Sequence, residues 1–446
     1  MHQSVLLALL AVLPPSLAAQ AGSPAGPVPV DRLAARRAAL TDSMRSGVAI
    51  LRSTSERSND PPESEYPQDA AFRQDNDFFY LTGLELPDAW LVLVARPGAR
   101  GEAHLFLPPR NLQAERWMGP KLGPGKDAAD QTGIPVDRIH SADSAQLIVR
   151  RLVAAASGAG HGTVWFRHTE RDTRDPFLRR LALEREGGSS RDLLPVLGQL
   201  RLIKDADEIR RLRLAVDASV AGHVAAMREA RPGSWEYEIE AAAEAAFRRA
   251  GAERLGYPSI VGSGINGTVL HYDQNRRQAK AGELVVMDMG AEYGYYTADV
   301  TRTVPVSGQF TPRQRQLYDL VLGAQQAAMD SVRPGITIGR LTQIARQYMQ
   351  DHSGSLCGRE SCTRYFIHGL SHWIGMDVHD VGDYDTPLAP GMAFTIEPGI
   401  YLPAEGLGIR IEDDILVTAT GYENLSKGAP RRAEEVERVM KTGARG

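Results

Sequence analysis

Two aspartates, Asp288 and Asp299, stand at the spacing D-x10-D inside the run AGELVVMDMGAEYGYYTADVTRT, residues 281–303. Asp288 closes an apolar run at 284–287, and Asp299 opens a β-branched one at 300–304. Both runs have the composition of strands. Tyr293-Gly294 can supply a two-residue turn, which sets Asp288 directly across a hairpin from Asp299 on one face. Cβ atoms so placed lie about 5 Å apart. Two ionised carboxylates that close, between apolar flanks, repel each other and lose hydration. Either one holds a proton or cations sit between them. A solvated hairpin with two surface acids is the plainer alternative.

The pattern recurs, and that favours the cations. Gly282-x5-Asp288-x-Gly290 returns as Gly391-x5-Glu397-x-Gly399, and a second acid follows each: Asp299 after the first, Glu412 after the second. Upstream, AAM-x3-RPG occurs at 225–233 and again at 327–335. Each copy leads into a helix-like stretch, 238–249 and 338–350. The C-terminal half is therefore expected to be two copies of helix, Pro-Gly break, helix and hairpin with two acids. Packed about a pseudo-twofold axis, they bring Asp288, Asp299, Glu397 and Glu412 together. Two divalent cations balance four carboxylates. YFIHGLSHWIGMDVHD adds His368, His372 and His379 within a dozen residues. Carboxylates with one imidazole suit Mn2+, with Co2+ or Zn2+ as alternatives. A metal pair polarises a carbonyl and holds a bridging hydroxide, which is chemistry for hydrolysis. His271 precedes Asp288 at nearly the spacing of His379 before Glu397. Such paired histidines could stabilise an oxyanion or shuttle a proton. Arg410 alternates with Glu412 and shares its face; it either orients that carboxylate or binds a substrate carboxylate, or forms a plain salt bridge.

The elements that carry these residues follow from the rest of the chain. Of 446 residues, 43% are hydrophobic and 24% charged, as in ordinary globular proteins of two or more domains. A net charge of −4 gives no electrostatic case for nucleic acid. A helix is expected at 32–45, strands at 47–51, 78–81, 90–94, 104–107 and 163–166, and helices at 146–155 and 174–185. This alternation implies an α/β domain over 31–200. LRLIKDADE, at 200–208, marks the boundary to a C-terminal α+β domain over 201–446. Asp205 can cap the long helix that begins it.

At the N-terminus, the apolar run 5–13 and the small-x-small site Ala19-Gln20-Ala21 form a signal-peptide pattern over 1–21. A short membrane-surface or disordered leader is the alternative. Residues 22–30 are expected to be a flexible lead-in. No other run has the length to span a bilayer. The two cysteines, Cys357 and Cys362, share one Gly/Ser-rich loop, and are either a small-loop disulfide in an exported protein or two free thiols.

Five motifs in order, VGSGINGTVLHY, VVMDMGAEYGYYTADVTRT, HGLSHWIGMDVHD, EPGIYL and GIRIEDD, resemble the pita-bread metallopeptidase family, and within it the Xaa-Pro aminopeptidase branch, the aminopeptidases P. The resemblance implies a pita-bread domain with an internal pseudo-twofold repeat. RQDNDFFYLTGLELPDAWLVLV is similar to the creatinase-like N-terminal domain of the same family. The family pattern would make Asp288, Asp299, His372, Glu397 and Glu412 the ligands of two metals, with Asp299 and Glu412 bridging. It would place His271, His368 and His379 around the substrate, with Arg410 and Tyr401 in support and Glu397 as a proton carrier. Trp117 in AERWMGPKLG matches an aromatic that reaches a neighbouring subunit's active site, which implies a homodimer or homotetramer; a packed surface Trp is the alternative. Departures are the leader, the two-cysteine loop and the Pro-rich stretch near Pro61-Pro62.

The expected activity is removal of the first residue from peptides whose second residue is proline, by attack of the metal-bridging hydroxide. One metal would anchor the free amino terminus. The proline nitrogen leaves with no N–H of its own, so its proton must be supplied. A prolidase, restricted to Xaa-Pro dipeptides, is the nearest rival. A methionine aminopeptidase would not need the large N-terminal domain. A metal-independent creatinase is disfavoured by the full ligand set. A catalytically inactive binding or scaffold protein of the same fold is the rival of another class.

Overall fold

The structure, a computed structural model, describes residues 24–55, 72–160, 162–183 and 190–443. The leader and the Pro61-Pro62 stretch lie outside them. In the N-terminal domain, β1 (Gly47–Arg52), β2 (Trp90–Ala95), β3 (Glu102–Leu107), β4 (Ile139–Ser141), β5 (Val164–Phe166) and β6 (Ser190–Asp192) form one sheet in the order β4-β3-β2-β1-β5-β6. The central three strands run antiparallel and the outer pairings are parallel. Side chains alternate between its faces. Val48, Ile50, Val92, Val94 and Phe106 pack with the helices Ala145–Gly158 and Pro176–Leu183. Ala49, Leu51, Leu91, Leu93 and Leu105 join the core shared with the helix Val30–Met44. The expected α/β domain is present.

Two expectations there are corrected. Residues 78–81 are not a strand but the middle of a helix, Asn76–Thr82. Asp75 caps its first turn through Phe78 N–H, and Gly83 closes it in the left-handed region. The lead-in is not free from Pro24 onward. Ala25 and Val28 are buried, and Arg210 and Arg211 donate to the carbonyls of Ala25 and Gly26. Satisfying those carbonyls fixes a segment whose Gly/Pro/Ala composition alone suggests freedom.

The C-terminal half is the expected duplicated unit. Helices Ala206–Glu229 and Glu236–Arg249 correspond to Pro312–Met329 and Ile338–His352. Asp205 and Glu208 complete a capping box at the start of the first. Gly233 and Gly335, at the two Pro-Gly breaks, have φ of 94° and 89°, a backbone state that favours glycine in both copies.

In the first copy, β7 (Arg254–Leu255), β8 (Ile260–Ser263), β9 (Leu284–Asp288), β10 (Ala291–Tyr293), β11 (Tyr296–Thr297) and β12 (Thr301–Pro305) build the hairpin and its flanking strands. In the second, β13 (Ala393–Ile396), β14 (Gly399–Leu402), β15 (Leu407–Arg410), β16 (Asp413–Val417) and β17 (Tyr422–Asn424) do so. The register corrects the sequence reading. Tyr293 pairs with Tyr296, so the turn is Gly294-Tyr295, with positive φ at both. Asp288 therefore faces Thr301. Asp299 lies two residues along on the same face, a diagonal neighbour. In the second hairpin, Ile396 pairs with Asp413 and Gly399 with Arg410, which puts Glu397 directly opposite Glu412. By register, then, Asp299 corresponds to Arg410, and Thr301 to Glu412.

The domains meet at the tip of the first hairpin. Phe79 stacks on Tyr295 with ring centroids 3.8 Å apart, Tyr295 accepts from Gln74 N–H at 3.0 Å, and Arg73 donates to Glu292 at 2.7 Å. The RQDNDFFY segment thus braces the C-terminal half. Among the described residues, no helix is long and apolar enough to cross a membrane.

Candidate metal centre

Strand β9, which ends at Asp288, and β13, which ends one residue before Glu397, are wholly buried along their apolar runs. Continuing them delivers their acids to one point. All five predicted ligands line a single cavity of about 470 Å³, with His271, His368, His379 and Arg410. One donor atom each from Asp299, His372 and Glu412 lies within 4.8 Å of the others. His372 Nε2 is 3.2 Å from Asp299 Oδ2, 3.4 Å from Glu397 Oε1 and 3.9 Å from Glu412 Oε1. His372 Nδ1 lies 3.1 Å from the Trp373 carbonyl; donating there leaves Nε2 as the ligand atom.

Proton affinities show how strained this group of acids is on its own. Burial pushes Asp299 up, and the charge of Asp288 adds to it. Burial raises Glu397 to about 7, with His372 opposing and Asp299 reinforcing. Burial and the other three carboxylates raise Glu412. Asp288 goes the other way: burial opposes its charge, but Arg410 and Tyr257 outweigh it. His372 is raised to about 9, because Asp299 and Glu397 overcome its burial. Glu412 Oε1, in a residue 1% exposed, has no hydrogen-bond partner among the described residues. A buried, unpartnered carboxylate oxygen facing three more acids and an imidazole is a donor set that fits divalent cations.

Sequence reasoning missed several supporting groups. The Tyr257 hydroxyl lies within hydrogen-bond reach of both Asp288 Oδ1 and Asp299 Oδ1, the latter at 2.6 Å. Thr301 Oγ1 donates to Glu412 Oε2 at 2.7 Å. The buried carboxylate of Asp414 accepts the Asp299 N–H at 3.1 Å. A lone tyrosine or threonine carries no spacing signal. Only the register shows what they face.

The predicted supporting residues divide into two groups. His271 and His379 are exposed on the cavity wall, and the His379 ring lies 4.1 Å from that of His372. Burial and the two neighbouring histidines lower His379. His368 also lines the cavity, but both its ring nitrogens have protein partners: Nδ1 is 2.8 Å from Gly369 O and Nε2 is 2.9 Å from Tyr401 Oη. Burial, with Arg410 nearby, lowers it to about 4. Arg410 reaches across the seam to Asp288 at 2.5 Å and also donates to Tyr401 and Thr301 at 2.9 and 3.1 Å. It orients a ligand and faces the cavity at once. Tyr401 is buried and is not among the cavity-lining residues; it stands behind the wall, between His368 and Arg410. Trp117, on the short helix Glu115–Met118, is 89% exposed and outside this cavity.

Residues 210–419 match the model of metallopeptidase family M24, and residues 33–159 that of the aminopeptidase P N-terminal domain. The chain belongs to metallopeptidase family M24 and is a metallopeptidase with that N-terminal domain before its pita-bread domain. It is 36% identical to the Xaa-Pro aminopeptidase of Escherichia coli (strain K12) over 437 residues, 91% of this chain and 96% of that one. It is 32% identical to Xaa-Pro aminopeptidase 3 of Homo sapiens over 397 residues, 82% and 76% of the two chains. Its fold is similar to that of zinc-substituted E. coli aminopeptidase P in complex with product, with a TM-score of 0.85, 33% identity and coverage of 94% of this chain and all of that one.

Proposed function

We propose that the protein removes the N-terminal residue from peptides with proline in second position, using two divalent cations held by Asp288, Asp299, His372, Glu397 and Glu412. The convergence of these five side chains with His271 and His379 on one cavity carries the reading. The relatives named Xaa-Pro aminopeptidase support it. The carboxylate-rich donor set favours manganese. When bound, such a metal pair activates water at neutral pH and polarises the scissile carbonyl.

The chain's own groups do the rest. Arg410 holds Asp288, and Thr301 holds Glu412, so the acids keep their separation against mutual repulsion. Glu397, with His372 3.4 Å away and His368 3.7 Å away, takes a proton from the attacking water and returns it to the proline nitrogen. His271 and His379, on the exposed wall, donate to the oxygen that gains charge.

The protein is further proposed to be exported, to the periplasm or beyond the cell, and to work as a homo-oligomer. The 1–21 pattern and the Cys357–Cys362 disulfide support export. The exposed Trp117 supports a subunit contact. Cell fractionation tests the first and light scattering the second.

The activity is tested with the Mn2+-loaded mature protein on Xaa-Pro-Yaa tripeptides, Xaa-Pro dipeptides and Xaa-Ala-Yaa controls. Release of the first residue from the Xaa-Pro tripeptide, lost in Asp299→Ala, is expected. Cleavage confined to dipeptides would make the protein a prolidase, and preference for the alanine control would end the proline assignment.

A further inference from the structure

The segments DVHD, RQDNDFFY and LRLIKD come together at a buried cluster behind the cavity. Arg201, 2% exposed, donates from Nη1 to Asp77 Oδ1 at 2.7 Å and from Nη2 to Asp380 Oδ1 at 2.5 Å. Asp77 belongs to the N-terminal domain, and Asp380 directly follows His379. Arg167 pairs with the other oxygen of Asp77. Lys204, fully buried, brings its Nζ to 3.6 Å from Asp380 Oδ2. One guanidinium thus bridges two buried carboxylates from different domains, and each carboxylate has a second cation on its outer side.

We propose that Arg201 is a positioning residue for His379, and that the N-terminal domain acts on catalysis within one chain through Asp77, Arg201 and Asp380. The loop 372–380 is what it positions. His372 begins the loop, and Asp380 N–H donates to Trp373 O at 2.9 Å, closing it one residue from each histidine. A Cβ on Gly375 would collide with the Asp380 carboxylate, so the loop closes tightly over that acid. Gly375 O in turn accepts from Thr297 N–H at 2.9 Å, which ties the loop to the first hairpin. With Asp380 fixed by two cations inside the protein, the next residue back, His379, is held on the exposed wall with its ring 4.1 Å from His372. Without Arg201 two buried carboxylates lose their shared counter-charge, and the loop keeps only the Arg73 and Asn76 donations to Met376 O, at 2.9 and 3.5 Å and three residues from His379, as its hydrogen bonds to the N-terminal domain among the described residues.

The proposal rests on the reading of His379 as a working group, and a double-mutant cycle separates the two. Arg201→Gln, Asp77→Asn and Asp380→Asn are each measured alone and in a His379→Ala background, on an Xaa-Pro tripeptide, with metal content determined for every variant. Alone, each is expected to lower kcat on the order of ten- to a hundred-fold, the scale of a misplaced catalytic group, with metal content as in the parent. In the His379→Ala background the further loss should be less than about two-fold, the limit of near-complete coupling. Equal losses in both backgrounds, or loss of metal with activity, would overturn the proposal while leaving His379 in its role. Full activity of His379→Ala would overturn both. Should Arg201→Gln fail to fold, Asp77→Asn, which keeps every residue of the catalytic domain, decides the matter.

Discussion

Thr301 and Glu412 meet where the two hairpins join: the threonine hydroxyl donates to Glu412 Oε2 at 2.7 Å, and the Glu412 N–H donates back to Thr301 O at 3.1 Å. They occupy the same register position in the two copies, so the contact joins one repeat to the other at the metal centre itself. Thr301 Oγ1 also accepts from Arg410 Nε. Thr301→Val keeps the shape and removes both bonds. It should weaken metal binding on the order of ten- to a hundred-fold, as loss of a ligand's supporting hydrogen bond does, with far-UV circular dichroism unchanged. Competition with a metal indicator measures it.

Tyr257→Phe takes away a neutral donor shared by Asp288 and Asp299. The phenol balances no charge, so the substitution should leave the fold intact. It should cost about ten-fold or more in metal affinity or kcat. Unchanged affinity and kcat would reduce Tyr257 to packing.

Metal binding should release protons. In the metal-free chain His372 is raised to about 9 and Glu397 to about 7, so near neutral pH His372 carries a proton and Glu397 is partly protonated. Both must lose it to act as ligands. Affinity should therefore climb as pH rises through 7 toward 9 and fall below 7. Titration calorimetry in two buffers of different ionisation enthalpy reads the released protons directly. Release of none would contradict the protonation expected of both groups.

His223 is fully buried beneath the first hairpin, its Nε2 3.2 Å from Met289 O, and burial lowers it to about 4. Unfolded, it would titrate near 6.5. Between those values the unfolded chain binds a proton that the folded chain refuses, so its contribution is present above about 6.5 and is lost as pH falls toward 4. The full difference is of order 3 kcal/mol. His223→Gln retains a donor for Met289 O but does not titrate, so melting temperature should depend less steeply on pH between 6.5 and 4 than in the parent.

Cys357 and Cys362 are joined across a sequence separation of 5. So short a loop gives a disulfide at the lower end of the usual range, about 2 kcal/mol. Arg346 independently holds the same segment through Thr363 O and Phe366 O at 3.3 and 2.9 Å. The Cys357→Ser/Cys362→Ser pair should thus melt a few degrees lower, yet keep its activity.

The duplication and the meeting of four acids on one cavity were legible because an apolar run into an acid, followed by a second acid, occurs twice at a spacing that can be counted; the choice of His372 among the histidines rested on the family resemblance. The register was not legible. Placing the turn at Tyr293-Gly294 shifts every pairing by two, and nothing local reveals that Tyr295 takes a positive φ. It does so because Phe79, from the other domain, stacks on it and Gln74 N–H binds its hydroxyl. Residues 78–81 fail as a strand for a related reason. A four-residue apolar run is ambiguous, and Asp75 and Gly83 decide it from outside. Tyr257 and Thr301 are ordinary residues made functional by what folds opposite them.

The register also gives the site a direction. Where the first copy places Asp299, the second places Arg410. Thr301 likewise stands where the second copy places Glu412, so the two halves of the cleft are unlike at two matched places. The exchange of an acid for a guanidinium at matched places breaks the equivalence of the two halves: Asp299 adds to the acid cluster, whereas Arg410 neutralises Asp288 within it. A peptide lying in the cleft head first therefore meets different groups from one lying tail first.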